Sequence, residues 1–301
     1  MNKAEAKYLL HPSNSPQHYG LSPQKPVALA PGGDNSCDSD DSSEDEDDET
    51  IRNNLLRREE QFTISYDAAK GYRGTELKFS SFARPHMRAF HGSWCCFFAS
   101  FFTQFAMAPL LPIIGQSLHL SNYQIWQGNL AMMVGGVPIR LVLGPLVEKN
   151  GGMEAMTAIL FISGAVCGMS GLAFNASSYV IARFIIGALD TFVPCQFWIT
   201  CHFVREVAAT AMAISSGLGS VGSATTQVAL GSVIFPLLAT FMSKDLAWRL
   251  TMIFPAVFSM SVATFFAKFS DDCPLGNFSE VKKAGLMVER SAADSFRSGA
   301  L

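Results

Sequence analysis

Six long apolar segments, separated by short polar connections, dominate the chain after residue 90. A helix needs about 20 apolar residues to cross the hydrocarbon core of a bilayer, and each segment is long enough. The pattern therefore predicts six transmembrane helices. The fifth segment exceeds one span, so we expect it to cross the membrane until about Phe235–Pro236 and to continue at the interface. The predicted spans are residues 91–113, 124–147, 154–174, 178–203, 207–240 and 247–269.

Lys and Arg residues near the span ends collect on one side of the predicted bundle, and this asymmetry sets the expected orientation. Cytoplasmic loops of membrane proteins carry an excess of Lys and Arg. The sequence therefore predicts an integral membrane protein whose two termini are both cytoplasmic. The basic side holds Lys78, Arg84, Arg88, Lys149, Arg205, Lys268, Lys282 and Lys283, and the other side holds Lys244 with Arg249 just inside the sixth span.

Small and polar residues inside the spans distinguish them from simple membrane anchors. Small residues allow close helix contact, and Gly or Pro permits local bending. Polar groups at membrane depth should face protein or a water-filled cavity. A bundle with such an interior is typical of a protein that moves a solute. The polar groups are Gln104, Gln127, Asn129, Arg140, Asp190, Gln196 and Gln227.

The N-terminal region has a different composition from the spans. Residues 1–50 contain eleven acidic and three basic side chains, although the whole chain has a net charge of only -3. Because little apolar surface is available there to offset the entropy of ordering, the sequence predicts a disordered acidic cytoplasmic tail over residues 1–78. A transmembrane domain (79–269) and a cytoplasmic segment (270–301) follow. Ser42 and Ser43 each have an acidic residue three positions later, so the tail is either a solvated spacer or a regulatory, phosphorylated segment.

Catalytic and metal-binding patterns are missing from the sequence. The seven cysteines form no regular framework, and the six histidines are scattered. We find no nucleophile elbow, phosphate loop, metal-ligand spacing or basic nucleic-acid patch. The sequence therefore predicts a protein that is not an enzyme, uses no metal or other cofactor, and does not bind nucleic acid.

Several motifs resemble one transporter family. The runs FARPHMRAFHGSW (82–94), FFTQFAMAPLLPII (101–114), RFIIGALDTFVPCQFW (183–198), AWRLTMIFPAVF (247–258) and DDCPLGNF (271–278) occur in the family's order. They are similar to the nitrate/nitrite porters of the major facilitator superfamily, and most of all to the eukaryotic high-affinity nitrate transporters. Arg183 and Gly187 also match the superfamily's helix 4 pattern. The resemblance implies an all-α membrane fold, of which this chain carries the N-terminal six-helix half.

The resemblance also implies a function, namely proton-coupled import of nitrate or nitrite across the plasma membrane. Arg140 falls at the position of the family's helix 2 arginine, which binds substrate. Nitrate is a planar monoanion, and a guanidinium is a planar donor fork that stays protonated. Alternatively, Arg140 forms an internal ion pair with Asp190, where the family commonly has a small residue, or it reaches an interface. Asp190 is also a candidate carrier of the coupling proton.

Other family positions give further candidate site residues. Phe192 aligns with an aromatic residue that lines the substrate site, and it could equally be an ordinary packing residue. Gln196 and Trp198 are weaker cavity candidates. Helix 5 carries SGLGSVGSATTQ (216–227), which resembles the family's glycine-dense nitrate signature. The signature either contributes to substrate binding or lets helices pack closely. Its candidate residues are Gly217, Gly219, Ser220 and Gly222.

Transporters of this superfamily have two six-helix halves with the substrate between them. This chain carries one half, so its polar interior would face lipid unless another six-helix half or a second copy covers it. The first hypothesis is a nitrate/nitrite transporter half, and transport of another small anion is a variant of it. The alternative is a non-transporting relative that regulates or pairs with a full-length transporter.

Overall fold

The structure is a computed structural model, and it describes residues 62–283. Residues 1–61 and 284–301 lie outside the described part, as do the sequence predictions that fall on them. The predicted disorder of the acidic tail up to residue 61 and the candidate phosphorylation sites Ser42 and Ser43 are among these predictions. They stay predictions.

A small β-hairpin precedes the first span. Strands β1 (Tyr66–Asp67) and β2 (Arg73–Gly74) pair antiparallel, and a 3-10 turn at Ala68–Lys70 connects them. The amide of Val204 donates to the carbonyl oxygen of Gly74 at 3.0 Å, which ties the hairpin to the end of the fourth span. The prediction that disorder extends to residue 78 is therefore wrong for the hairpin, since its turn chemistry and cross-strand bonds offset the low apolar content.

Six helical spans follow, and each is long and apolar enough to cross a membrane. The predicted all-α fold with six spans is confirmed. A short helix, Phe278–Lys283, follows the last span. The spans are numbered here in chain order: span 1 His86–Ser117, span 2 Asn122–Asn150, span 3 Gly152–Ser170, span 4 Ala176–His202, span 5 Arg205–Phe241 and span 6 Lys244–Phe269.

Side-chain caps fix the beginnings of spans 2, 4 and 6. Ser121 forms a capping box with Gln124, and Asn175 forms one with Ser178. In span 6 the Ser243 hydroxyl accepts a hydrogen bond from the Leu246 amide. Because the first amides of a helix lack partners within it, such caps satisfy donors that would otherwise need water. Short loops can therefore reverse the chain between spans.

Spans 1, 4 and 6 are each interrupted, which the apolar pattern did not predict. The two helices of span 4 are Ala176–Ala188 and Phe192–His202. Pro194 lacks the amide hydrogen that would bond to the carbonyl of residue 190, so the helix is weakened where it breaks. Pro109 stands in the same relation to the interruption in span 1, and Pro255 to that in span 6. The remaining helices are His86–Gln104 and Leu111–Ser117 in span 1, with a 3-10 turn at Ala108–Leu110, and Lys244–Thr251 and Ile253–Phe269 in span 6.

Span 5 is helical throughout, but its helix changes type part-way along. An α-helix, Arg205–Thr226, passes into a π-helical segment, Gln227–Ile234, and then into the helix Phe235–Phe241. A carbonyl in a π-helix bonds five residues ahead rather than four. The chain therefore stays helical past Pro236 as far as Phe241. The predicted end of the membrane crossing near Phe235–Pro236, followed by an interfacial extension, stays a prediction.

Spans 2 and 5 are much less buried than the other four. Only 17% of the most apolar window of span 2 and 11% of that of span 5 is buried, against 39–56% in the other spans. Large apolar side chains such as Val137 and Leu141 on span 2 and Val221 and Val228 on span 5 are exposed. Within the described chain, these two spans therefore have the largest share of apolar surface that other parts leave uncovered.

Candidate functional site

Arg140 and Asp190 form an ion pair between spans 2 and 4. Arg140 Nε donates to Asp190 Oδ2 at a distance of 2.6 Å. The Arg140 side chain is 56% exposed, whereas the Asp190 side chain is only 8% exposed. A guanidinium has five N–H donors, and more than half of this side chain remains open to an approaching group. The pair thus has a buried acidic side and an open basic side.

The break in span 4 is built around Asp190. The other carboxylate oxygen, Oδ1, accepts the amide hydrogen of Phe192 at 3.0 Å, which caps the second helix of the span. From span 1, Gln104 Nε2 donates to the carbonyl oxygen of Leu189 at 3.3 Å. Side chains therefore satisfy backbone groups that the broken helix exposes, which is the condition for non-helical backbone at membrane depth.

Aromatic rings connect this pair to spans 1 and 5. The guanidinium carbon of Arg140 lies 5.5 Å from the ring centroid of Phe192, within cation–π range. The Phe192 ring lies 6.2 Å from the ring of Phe97 on span 1. Phe97 in turn packs directly against Gly219, where any added Cβ would overlap the ring. Sequence reasoning missed Phe97, because nothing distinguishes it from the other phenylalanines of the chain.

The helix 5 candidates separate into two pairs. Gly219 and Gly222 face span 1, and a Cβ at Gly222 would collide with the carbonyl oxygen of Phe98. Gly217 has no neighbouring heavy atom within 4 Å of an added Cβ, and the hydroxyl of Ser220 donates to its own helix at Ser216. Two of the four residues therefore hold spans 1 and 5 in contact, and the other two lie on the exposed face of span 5.

Several proteins named as nitrate transporters match this chain over most of its length. It is 32% identical to the high affinity nitrate transporter 2.7 of Arabidopsis thaliana over 206 residues, which are 68% of this chain and 42% of that protein. For the high affinity nitrate transporter 2.5 of the same plant the identity is 33% over 228 residues, 75% of this chain and 45% of the relative. The nitrate/nitrite transporter NrtP of Nostoc punctiforme is 25% identical over 211 residues, 69% of this chain and 42% of that protein.

This chain belongs to the nitrate/nitrite porter family. It spans less than half of the length of these relatives, which agrees with six helical spans arranged as one half of a major facilitator fold. No protein-family model and no solved structure matches it. The relatives are named as transporters and not as enzymes.

A second polar cluster lies near the C-terminal end of span 4, beside the start of span 3. Asp272 Oδ1 accepts the amide hydrogen of Met153 at 2.7 Å, so the segment after span 6 caps span 3. Burial raises the pKa of Asp272 to about 6. Gly151 has φ of +95°, and a Cβ there would overlap the Asp272 carboxylate. Trp198, a cavity candidate from the sequence, is instead fully buried and donates to the Asp271 carbonyl oxygen at 3.0 Å.

Proposed function

We propose that the chain is the anion-binding half of a nitrate/nitrite transporter, with Arg140 as the anion ligand. The observation that carries the proposal is the half-exposed guanidinium of Arg140, which a buried carboxylate positions at a broken helix. The relatives named as nitrate transporters supply the substrate class. A planar monoanion such as nitrate matches the planar donor fork of a guanidinium.

Asp190 gives this site a route to proton coupling. Its carboxylate occupies the guanidinium that the substrate anion needs, so the two anions compete for Arg140. Protonation of Asp190 would remove that competition and favour anion binding, because the neutral carboxyl attracts the guanidinium less strongly. Proton binding and anion binding would thereby be linked. Import with a proton follows if the proton and the anion are released together on the cytoplasmic side.

The other candidate residues have supporting roles in this proposal. Phe192 holds the guanidinium through its ring, 5.5 Å from Cζ, and lines the anion's approach. Gly217 and Ser220 lie on the exposed face of span 5, where they would meet a second half and the substrate between the halves. Gly219 and Gly222 keep span 5 against span 1, so the two helices would move together during gating.

The proposal requires a partner for the exposed faces of spans 2 and 5. Either the second six-helix half of a transporter or another copy of this chain would cover them, because transporters of this kind bind substrate between two halves. From the basic residues near the span ends we infer that both termini lie in the cytoplasm. The plasma membrane is the location that the family resemblance implies, and it is part of this proposal.

A second candidate function has one specific observation in its favour. Asp190 neutralises Arg140 at 2.6 Å, which weakens the affinity of the site for any anion. A chain with a blocked site would act as a non-transporting partner that regulates a full-length transporter. A transporter for a different small anion is the third candidate. Nitrate uptake separates the first candidate from the other two.

Labelled nitrate uptake by cells that express the full 301-residue chain tests the proposal. We expect uptake above that of empty cells and a decrease of about tenfold in Arg140→Lys, because an ammonium cannot reproduce the planar donor fork. Arg205→Lys, the same change at an exposed residue, should leave uptake unchanged. Equal uptake by the two variants would remove Arg140 from the mechanism. Absence of uptake, together with recovery of a full-length transporter on purification of the chain from its native membrane, would favour the regulatory function.

A further inference from the structure

Arg183, on span 4, is buried without a full set of hydrogen-bond partners. Its side chain is 4% exposed. Nη2 donates to the side-chain oxygen of Asn129 on span 2 at 2.5 Å. Within residues 62–283, its Nε and Nη1 atoms have no hydrogen-bond partner, although both are buried. A buried guanidinium therefore presents two free donors to the interior between the spans.

The positive charge of Arg183 is also not balanced by a carboxylate of the described chain. Asp190 pairs with Arg140, and Asp245 pairs with Arg249. No ion pair formed within residues 62–283 includes Arg183. A guanidinium cannot lose its proton, and an uncompensated buried charge is strongly destabilising. Some negative group should therefore accompany Arg183 in the folded protein.

Tyr179 adds a third donor beside the guanidinium. Its hydroxyl is buried and lies within hydrogen-bonding reach of the Arg183 guanidinium, and no acceptor among the described residues takes the hydroxyl's own proton. The ring can take this position because Gly128 has no side chain, and a Cβ there would overlap the Tyr179 ring. The site therefore combines one positive charge with two guanidinium donors and a phenolic hydroxyl. Such an environment attracts an anion and repels a cation.

We propose that Arg183, Tyr179 and Asn129 form a binding site for one small monovalent anion, either chloride or nitrate, between spans 2 and 4. The anion must be small, because the spans cross closely where Gly135 meets the carbonyl oxygen of Phe184 and Gly187 meets that of Met132. The site lies about 10 Å along span 4 from Asp190, so it is separate from Arg140. It does not depend on transport, because its anion joins two spans whether or not Arg140 moves a substrate.

Thermal unfolding of the purified full-length chain in detergent tests this site. Sodium gluconate is replaced by sodium chloride in one series and by sodium nitrate in another, at constant ionic strength. We expect Tm to rise by about 2–4 °C with at least one small anion, since only the folded state binds it. The two series identify which of the two anions the site takes. No rise with either anion would overturn the proposal.

Asn129→Asp supplies a carboxylate from the protein itself, 2.5 Å from Arg183 Nη2 in the position of the amide oxygen. We expect its Tm in gluconate to be at least that of the wild type, and its Tm to rise much less in chloride or nitrate than that of the wild type, with only the response at Arg140 remaining. The control Gln127→Glu adds the same charge to span 2, in the groove lined by Leu130, Val180 and Phe184 rather than at Arg183, and should respond as the wild type does. A full anion response in Asn129→Asp would overturn the proposal.

Tyr179→Phe decides the matter if Asn129→Asp fails to fold. It keeps Arg183 and Asn129 and removes one donor to the anion. Because one hydrogen bond is worth about 1 kcal/mol, the anion concentration that gives half of the Tm rise should increase several-fold. An unchanged half-saturating concentration would contradict the site. Tyr179 does not contact Arg140, so the change on Tyr179→Phe reports the Arg183 site, and loss of uptake in Arg140→Lys is a separate result.

Discussion

The two arginines inside the bundle have opposite surroundings. Arg140 is more than half exposed and has a carboxylate 2.6 Å away, whereas Arg183 is buried and has only an amide oxygen at 2.5 Å. Both bridge spans 2 and 4. If charge burial alone decided the partners, the carboxylate would accompany Arg183, because the cost of an unpaired charge is greatest there.

This difference assigns different tasks to the two groups. The pair of Arg140 and Asp190 lies on an open face, where a substrate could exchange with the carboxylate. Arg183 is enclosed, so a group bound there would stay with the protein and hold the two spans together. The role of an arginine in a membrane span therefore depends on its exposure and on its partner. Its charge at bilayer depth is not enough to assign that role.

Gly187→Ala should have the largest effect, because the residue lies at the helix crossing that positions both arginines. An added Cβ would collide with the carbonyl oxygen of Met132, and the backbones would have to separate. Small residues permit such close crossings in membranes, and overpacking costs about 1–3 kcal/mol. We expect a lower Tm and loss of anion responses at both arginines. Gly144→Ala, whose added Cβ has no neighbour within 4 Å, is the matched control, and equal Tm values would refute the explanation.

The fold and part of the site could be predicted from the sequence. Apolar runs of bilayer length gave the six spans, and charge at bilayer depth identified Arg140 and Asp190 as the groups to explain. The break at Leu189–Thr191 was not predicted, because the length of an apolar run does not show whether its helix is continuous. Pro194 was the one sequence signal of a weakened helix there. Pairing between residues 50 positions apart depends on how spans 2 and 4 pack, which neither segment encodes alone.

Other parts had no readable signal. Phe97 is one of 24 phenylalanines. Its role appears only in three dimensions, where its ring contacts both Phe192 and Gly219. Arg183 was recognised only as part of a family pattern. That it lacks a carboxylate partner among residues 62–283 is a property of three-dimensional positions, since Asp190 is close in sequence and yet contacts Arg140 instead.

Asp272 gives the next largest effect, which is a dependence of stability on pH. Its pKa is raised to about 6 by burial, so between pH 4 and 6 the folded state holds a proton that the unfolded state releases. Stability should therefore fall as pH rises through this range, by on the order of 2 kcal/mol. Asp272→Asn should remove the slope in Tm measured against pH.

Glu76→Gln is the control for this slope. The hydrogen bond from Lys78 lowers the pKa of Glu76, so this group contributes stability that is lost as pH falls, which is the opposite sign. The variant should retain the decrease between pH 4 and 6. If Asp272→Asn retained it as well, Asp272 would not be the group that titrates in this range.

The smallest effect comes from exchanging the surroundings of the two arginines. In the double variant Asn129→Asp, Asp190→Asn, Arg183 gains a carboxylate and Arg140 loses one, while the amide oxygen introduced on span 4 can still accept the Phe192 amide hydrogen. The remaining nitrate response of Tm then reports Arg140 alone. Because Arg140 is half exposed, its ion pair is worth about 0.2–1 kcal/mol, so nitrate affinity should rise up to about fivefold over Asn129→Asp. An unchanged affinity would mean that Asp190 positions Arg140 without competing for the anion, and the link between proton and anion binding would then need a group other than this carboxylate.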